Sequence, residues 1–215
     1  MPYPFPIPSD RPRRKPRPLP LTIPSATIIR ALDSMPFSSP IEARNRTICE
    51  ILYSTGITSR ELCALRLEHV HTINHLLHVA RPNKASELIP IGNTALQALV
   101  LFSSIFRRFF SPHPIAKSPL FITAKGEPMT PALLNAIVRQ TFNSAGALPR
   151  VTPRILRNSF AAHMLDGGAN MRAVQEMLGL GRVEQVANYT RTATSYLRNQ
   201  LATYHPAWQP TTHNR

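Results

Sequence analysis

Two arginines with helical spacing, Arg154 and Arg157, are the clearest candidates for chemistry in this sequence. They follow Thr152 and Pro153, a pair typical of the first turn of a helix. Residues three apart on a helix share a face, so the two guanidinium groups can converge on one phosphate. The alternative interpretation is a solvated arginine pair on a helix surface.

The overall charge of the chain favours an anionic partner. Its 215 residues include 25 Lys and Arg against 11 Asp and Glu, which gives a net charge of +14 and a pI near 11.2. A field of this sign and size attracts polyanions, of which nucleic acid is the commonest. Charge alone also allows a membrane surface or an acidic protein.

The N-terminal residues 1–24 form a basic, proline-rich arm. They hold nine of the 22 prolines, a density that blocks helices and sheets and favours extended chain. Arg13, Arg14 and Lys15 stand in its basic run and are candidate DNA-binding residues. Two interpretations of this arm are equally good. It contacts DNA phosphates or a partner, or it is merely a solubilising tail. Residues 209–215 are predicted to be a disordered tail.

From residue 25 onward the pattern becomes mainly helical. Ser39-Pro40 opens a helix that Gly56 stops, and Thr58-Ser59-Arg60-Glu61 is a capping box that opens the next. The remaining helices are predicted at 93–108, 130–145, 152–166, 170–178, 182–189 and 192–203.

A change of period at residues 70–91 predicts two or three short antiparallel strands. Their apolar positions cluster in HLLHVA and LIPI, on either side of the turn-like stretch from Arg81 to Lys84. The expected fold class is therefore α+β, mainly helical with one small antiparallel sheet.

The sequence predicts no disulfide, no zinc site and no membrane-spanning segment. Cys49 and Cys63 both lie on apolar helical faces, which favours buried thiols over a disulfide, and they lack the partners of a zinc site. No apolar run is long enough to span a bilayer, and the N-terminus lacks the apolar core of a signal peptide. We therefore expect a cytoplasmic, DNA-associated protein without a metal.

Four segments, in order, resemble tyrosine recombinases of the phage integrase type. Residues 152–190, TPRILRNSFAAHMLDGGANMRAVQEMLGLGRVEQVANYT, are similar to the second signature box of that family. STGITSRELCALRLEHV resembles the first box, RPNKASELIPIG the basic β-hairpin, and YTRTATSYLRNQLATYHP the closing helix of Xer-type members. The resemblance covers about residues 25–208 and implies the DNA breaking-rejoining catalytic fold, with a three-stranded antiparallel sheet.

The resemblance also implies a reaction and a set of residues for it. In the family a tyrosine attacks a DNA phosphodiester and forms a 3′-phosphotyrosyl link, so no cofactor is required. Tyr189 matches this nucleophile, and Arg157 matches an arginine that stabilises charge on the phosphate. Lys84 is the candidate general acid, Arg154 stands where the family has a histidine, and Arg60 is a possible substitute for another family arginine.

Several family positions carry other residues here. Thr58 occupies the place of the first catalytic arginine and Pro82 that of the hairpin lysine, with Arg81 and Lys84 beside it. Asn158 and Leu180 replace two histidines. Arg81, Lys84, Arg154 and Asn158 are predicted to contact DNA.

Three hypotheses follow from the pattern. The first is a recombinase or integrase that acts on double-stranded DNA in site-specific recombination, as a homo-oligomer or docked to another recombinase through the C-terminal helix. The second is an inactive family member that binds DNA as an accessory or regulatory protein. The third is a basic helical domain whose partner is another protein.

Overall fold

The computed structural model describes residues 19–81, 85–111, 115–146, 150–190 and Thr203. The predicted arm up to residue 18, the tail 209–215 and most of the predicted helix 192–203 lie outside these ranges. Eight α-helices are present in the described ranges: α1 Ser25–Ser34, α2 Pro40–Thr55, α3 Ser59–Cys63, α4 Asn93–Leu101, α5 Pro131–Ser144, α6 Pro153–Asp166, α7 Met171–Leu178 and α8 Ala187–Thr190.

Four of the predicted helix starts are confirmed at atomic level. Ser39 and Thr58 each close a reciprocal capping box with the glutamate three residues later, and Thr130 and Thr152 each accept a hydrogen bond from a first-turn backbone N–H. Such caps form between residues close in sequence, so the pattern alone can predict them. Gly56 ends α2 in the left-handed region at φ 66°.

Two predicted helices are less regular than expected. The segment 93–108 begins as α4 and continues through a π-helical turn at Phe102–Phe106 and a 3-10 turn at Arg107–Phe109. The prediction of one helix over 182–189 was wrong, because a 3-10 turn at Val183–Gln185 precedes the separate helix α8.

The small sheet is confirmed and is antiparallel throughout. Its order is β1-β2-β3, with β1 at Val70–His71, β2 at Leu76–Val79 and β3 at Glu87–Pro90. Leu77 pairs with Val70 and with Ile89, and the inward-facing Leu77, Val79 and Ile89 are buried. This alternation fixes the register, because a shift of one residue would expose all three.

The core is built around α2, which contacts α1, α4, α5 and α6. Ile48, Cys49, Ile51 and Leu52 are fully buried along it. Both cysteines are free thiols, and burial raises the pKa of the Cys63 thiol to about 11. No described helix combines the length and apolar character needed to cross a membrane.

A second apolar cluster joins the last three described helices. Its buried members are Phe160, Ala161, Leu165, Val174, Leu178 and Val186, and Tyr189 packs against it. The cluster therefore places α8, and with it Tyr189, against α6 and α7. Gly56 lies at the edge of this cluster, where a Cβ would overlap the Phe160 ring.

The last residues of the predicted arm are bound to α6. Asn158 Nδ2 donates to the Leu21 carbonyl at 3.2 Å, and the Ile23 N–H donates to Ser159 Oγ at 2.9 Å. His163 is hydrogen-bonded to the backbone of Ile23 and, through Nδ1, to the Tyr53 hydroxyl at 2.9 Å. Ile23 itself belongs to the core.

His163 should make the stability of the domain depend on pH. Burial lowers its pKa below the usual 6.5, although Asp166 and the Ile23 hydrogen bond oppose that shift. The unfolded chain therefore takes up the proton at a higher pH than the folded chain does. The neutral ring therefore makes its full contribution to the free energy of unfolding above about pH 6.5. This contribution is lost as the pH falls towards the pKa of His163 in the folded protein, which is the lower of the two.

We expect His163→Gln to reduce the loss of unfolding free energy between pH 7 and pH 5, as measured by urea denaturation. His71→Gln, which alters an exposed histidine of β1, is the matched control and should leave the pH dependence unchanged. An identical pH dependence in wild type and His163→Gln would exclude this role.

Candidate active site

The candidate active site lies where α6, α3, the end of β2 and the C-terminal end of α7 meet. Arg157, on the second turn of α6, points into this junction with its side chain 14% exposed. Its Nη1 donates to the Gly56 carbonyl and its Nη2 to the Leu178 carbonyl, each at 2.7 Å. These two bonds fix the plane of the guanidinium from opposite sides, so the cation is held in one orientation.

Tyr189 and Glu61 also lie beside Arg157. A side-chain hydrogen bond joins the Arg157 guanidinium to Tyr189, and Glu61 Oε2 lies 4.0 Å from Arg157 Nη1. Burial lowers the pKa of Arg157, while Glu61 and Tyr189 act in the opposite direction. An arginine retains its charge under such conditions, so a tyrosine hydroxyl lies directly beside a fixed positive charge.

Glu61 is the carboxylate at the centre of the site. Its Oε1 accepts from Arg81 Nη1 at 3.1 Å, and its Oε2 accepts from the Thr58 N–H at 2.6 Å. One buried carboxylate thus closes the capping box of α3 and lies between two guanidinium groups. The sequence predicted only the cap, since the contacts to Arg81 and Arg157 join residues that are distant in sequence.

Arg81 is predicted to contact DNA, and the structure places it inside the protein. Its side chain is 3% exposed, and besides Glu61 it has the Met177 carbonyl 2.7 Å from Nη2 and Glu87 Oε2 2.7 Å from Nε. A contact with DNA would require the guanidinium to leave these partners. In this conformation Arg81 belongs to a buried network with Glu61, Glu87 and the Met177 carbonyl. We call this network the frame of the site.

The other predicted residues lie around this junction. Arg154 and Arg60 are exposed, and neither side chain forms a hydrogen bond or ion pair within the described ranges. Asn158, predicted to contact DNA, is buried and binds Leu21 instead. Lys84, Arg13, Arg14 and Lys15 lie outside the described residues, so their assignment stays a prediction.

Two positions of the family pattern now have a structural account. Thr58, at the place of the first catalytic arginine, caps α3: its Oγ1 accepts from the Glu61 N–H at 3.3 Å. Leu180 packs on the second apolar cluster, and its carbonyl accepts from Gln175 Nε2 at 3.0 Å. Across the described ranges, no three His, Cys, Asp or Glu side chains are grouped as metal ligands.

Comparison of the chain with known proteins shows which family it belongs to. The model of the phage integrase family matches residues 25–195. The chain belongs to the phage integrase family. Tyrosine recombinase XerD of Staphylococcus saprophyticus subsp. saprophyticus is 31% identical over 163 residues, which cover 76% of this chain and 55% of that protein. The chain thus spans about half the length of the XerD proteins that it matches.

Solved structures of recombinases share the fold of this chain. The crystal structure of XerA recombinase superposes with a TM-score of 0.75 at 22% identity, over 92% of this chain and 68% of that one. XerH site-specific recombinase, in a post-cleavage complex with palindromic difH substrate, gives a TM-score of 0.72 at 23% identity, over 87% and 54%. The predicted tyrosine-recombinase catalytic fold is therefore confirmed.

Proposed function

We propose that this chain binds double-stranded DNA and cleaves one strand through Tyr189, as a step of site-specific recombination or integration. The observation that carries the proposal is the hydrogen bond between Tyr189 and the fixed guanidinium of Arg157. In this position the same cation can bind a DNA phosphate and orient the hydroxyl that attacks it. The XerH complex with its difH substrate and the XerD relatives support a DNA substrate of this kind.

The proposed step is a transesterification that needs no cofactor. The Tyr189 oxygen forms a bond to phosphorus and loses its proton to solvent. The bond from phosphorus to the 5′-oxygen breaks, which leaves a 3′-phosphotyrosyl link. Lys84 protonates the departing oxygen, and Arg157 neutralises the charge that builds on the non-bridging oxygens. Arg154 and Arg60, whose exposed side chains are available to an incoming duplex, supply further positive charge.

The segment after Tyr189 and the arm complete the proposal. We assign the predicted helix 192–203 to self-association on DNA or to docking on another recombinase, and Arg13, Arg14 and Lys15 to phosphate contacts. The protein would then act in the cytoplasm, associated with the nucleoid or with other DNA.

A second function, that of an inactive DNA-binding accessory protein, is favoured by one observation. Thr58 is committed to the capping box of α3, and the next arginine, Arg60, lies two residues further along. Two residues turn a helix by about 200°, so Arg60 does not replace a side chain at position 58. Loss of one preorganised donor typically lowers a rate by about 10²–10³, which is compatible with slow cleavage or with none.

Salt dependence of binding is the first test of the proposed function. Affinity for a duplex should fall steeply between 50 mM and 200 mM NaCl, because each neutralised phosphate contributes about −0.9 to the slope of log K against log salt. The variant Arg13→Gln, Arg14→Gln, Lys15→Gln should bind more weakly and show a flatter slope, as measured by fluorescence anisotropy. Salt-insensitive binding, or no binding at low salt, would disprove the proposal.

A further inference from the structure

Arg81 occupies an unusual place for an arginine at the base of a β-hairpin. It follows β2 by two residues, yet its side chain is 3% exposed, and all three guanidinium nitrogens lie near an acceptor. These acceptors belong to three elements, namely Glu61 of α3, Glu87 of β3 and the Met177 carbonyl of α7. A buried charge is tolerated only when it is paired in this way.

Glu61 connects Arg81 to Arg157. Oε1 is bonded to Arg81, so the carboxylate is held with Oε2 directed to the Thr58 N–H and, at 4.0 Å, to Arg157 Nη1. Without Arg81, this buried carboxylate would face Arg157 as its one cationic partner in the site. It would then draw the guanidinium towards itself and compete with a phosphate for the same N–H groups.

The C-terminal end of α7 connects the same two arginines a second time. The carbonyls of the consecutive residues Met177 and Leu178 accept from Arg81 and Arg157, respectively. Carbonyls at a helix end lack partners within the helix and attract cations. Gly179, in the left-handed region at φ 63°, makes the approach possible, since a Cβ there would overlap the Arg81 guanidinium.

We propose that Arg81 is a positioning residue for strand cleavage: it holds Glu61 and the end of α7 so that the Arg157 guanidinium faces the DNA phosphate and Tyr189. The inference rests on the proposed function. Arg81 is too enclosed to touch a phosphate itself, so it acts through Arg157. A lysine does not replace it, because a single ammonium cannot reach acceptors on three elements at once.

The experiment compares Arg81→Met and Arg81→Lys with the control Arg139→Met in the full chain. Arg139 is an exposed residue of α5 outside the candidate site, so its substitution removes the same charge without disturbing the contacts of Arg157. The first measurement is the ¹⁵N spectrum of arginine side chains, assigned for Arg157 with Arg157→Lys. The two carbonyl bonds should restrain the Arg157 Nη groups and give resolved signals. Both Arg81 variants should shift or lose them, and Arg139→Met should leave them in place.

The second measurement is a double-mutant cycle on duplex affinity at low salt. Arg157→Ala should weaken binding about tenfold or more in the wild-type background, since a hydrogen bond between charged groups typically changes affinity by at least that factor. In the Arg81→Lys background we expect a loss of less than about threefold, because Arg157 is already displaced. In the Arg139→Met background the loss should again be about tenfold.

The outcomes separate this inference from the proposed function. Three results would each overturn the positioning role. They are unchanged Arg157 signals in folded Arg81 variants, additive effects in the double-mutant cycle, and full recovery of the Arg157 signals and of duplex affinity in Arg81→Lys. Unfolding of both Arg81 variants would overturn it too, in favour of a purely structural role. Absence of DNA binding by the unmodified chain would count against the proposed function, and the spectra would still decide how Arg157 is held.

Discussion

Tyr189→Phe is expected to abolish covalent attachment of the protein to DNA. With a nicked suicide substrate, the unmodified chain should form an adduct that persists in denaturing gels, because the cleaved strand diffuses away and religation cannot occur. Phenylalanine keeps the ring that packs on the second apolar cluster but lacks the oxygen that forms the bond to phosphorus. The adduct should therefore disappear while duplex affinity changes little.

Tyr53→Phe is the matched control for this experiment. It also removes a partly buried hydroxyl that has a hydrogen bond, in this case to His163, but it lies outside the candidate site and should preserve the adduct. Adduct formation by Tyr189→Phe would place the nucleophile elsewhere. A chain that binds DNA and never forms an adduct would favour the accessory function.

Glu61→Ala is expected to cause the largest loss of stability of any single substitution at the site. It removes the carboxylate from beside Arg81 and Arg157, whose side chains are 3% and 14% exposed. Breaking a buried pair by removing one partner typically costs about 3–5 kcal/mol. Since domains of this size are stable by about 5–15 kcal/mol, a substantial unfolded fraction should appear in urea titrations followed by circular dichroism.

Glu68→Ala provides the comparison on the surface. Its ion pair with Arg66 spans 4.0 Å between side chains that are 37% and 49% exposed, respectively. Pairs of this kind contribute at most about 1 kcal/mol, so this variant should unfold close to the wild type. A similar, small effect of both substitutions would show that the carboxylate between the two arginines does not hold the site together.

The helix starts could be predicted from the sequence because the interactions that define them are local. Ser39, Thr130 and Thr152 each bond to a backbone group within three residues, and the pattern of residue types is sufficient for that. The alternation of β2 and β3 likewise predicted the small sheet. The break between the 3-10 turn and α8 was missed, because the packing of Val186 into the second cluster decides it.

The frame of the site could not be predicted, because its contacts join distant parts of the chain. Arg81 lies 20 residues from Glu61 and 96 from Met177. As a basic residue beside a turn, Arg81 resembles a surface ligand for phosphate, and only the folded arrangement shows that it is enclosed. Asn158 was predicted to contact DNA from its place in the family pattern, and its bond to Leu21 joins residues that are 137 apart in sequence.

The attachment of Leu21 to Asn158 gives the basic run a short tether. Asn158 follows Arg157 directly in α6, so the chain is fixed at Leu21 beside the residue next to Arg157. Only five residues separate Leu21 from Lys15, and a chain extends by at most about 3.6 Å per residue. Lys15 is thus confined to within about 22 Å of this anchor, and Arg13 to within about 29 Å. If Tyr189 cleaves a DNA strand as proposed, these cations would be present near that strand at the millimolar effective concentrations typical of short linkers, and weak contacts with its phosphates would lengthen the residence time of the complex.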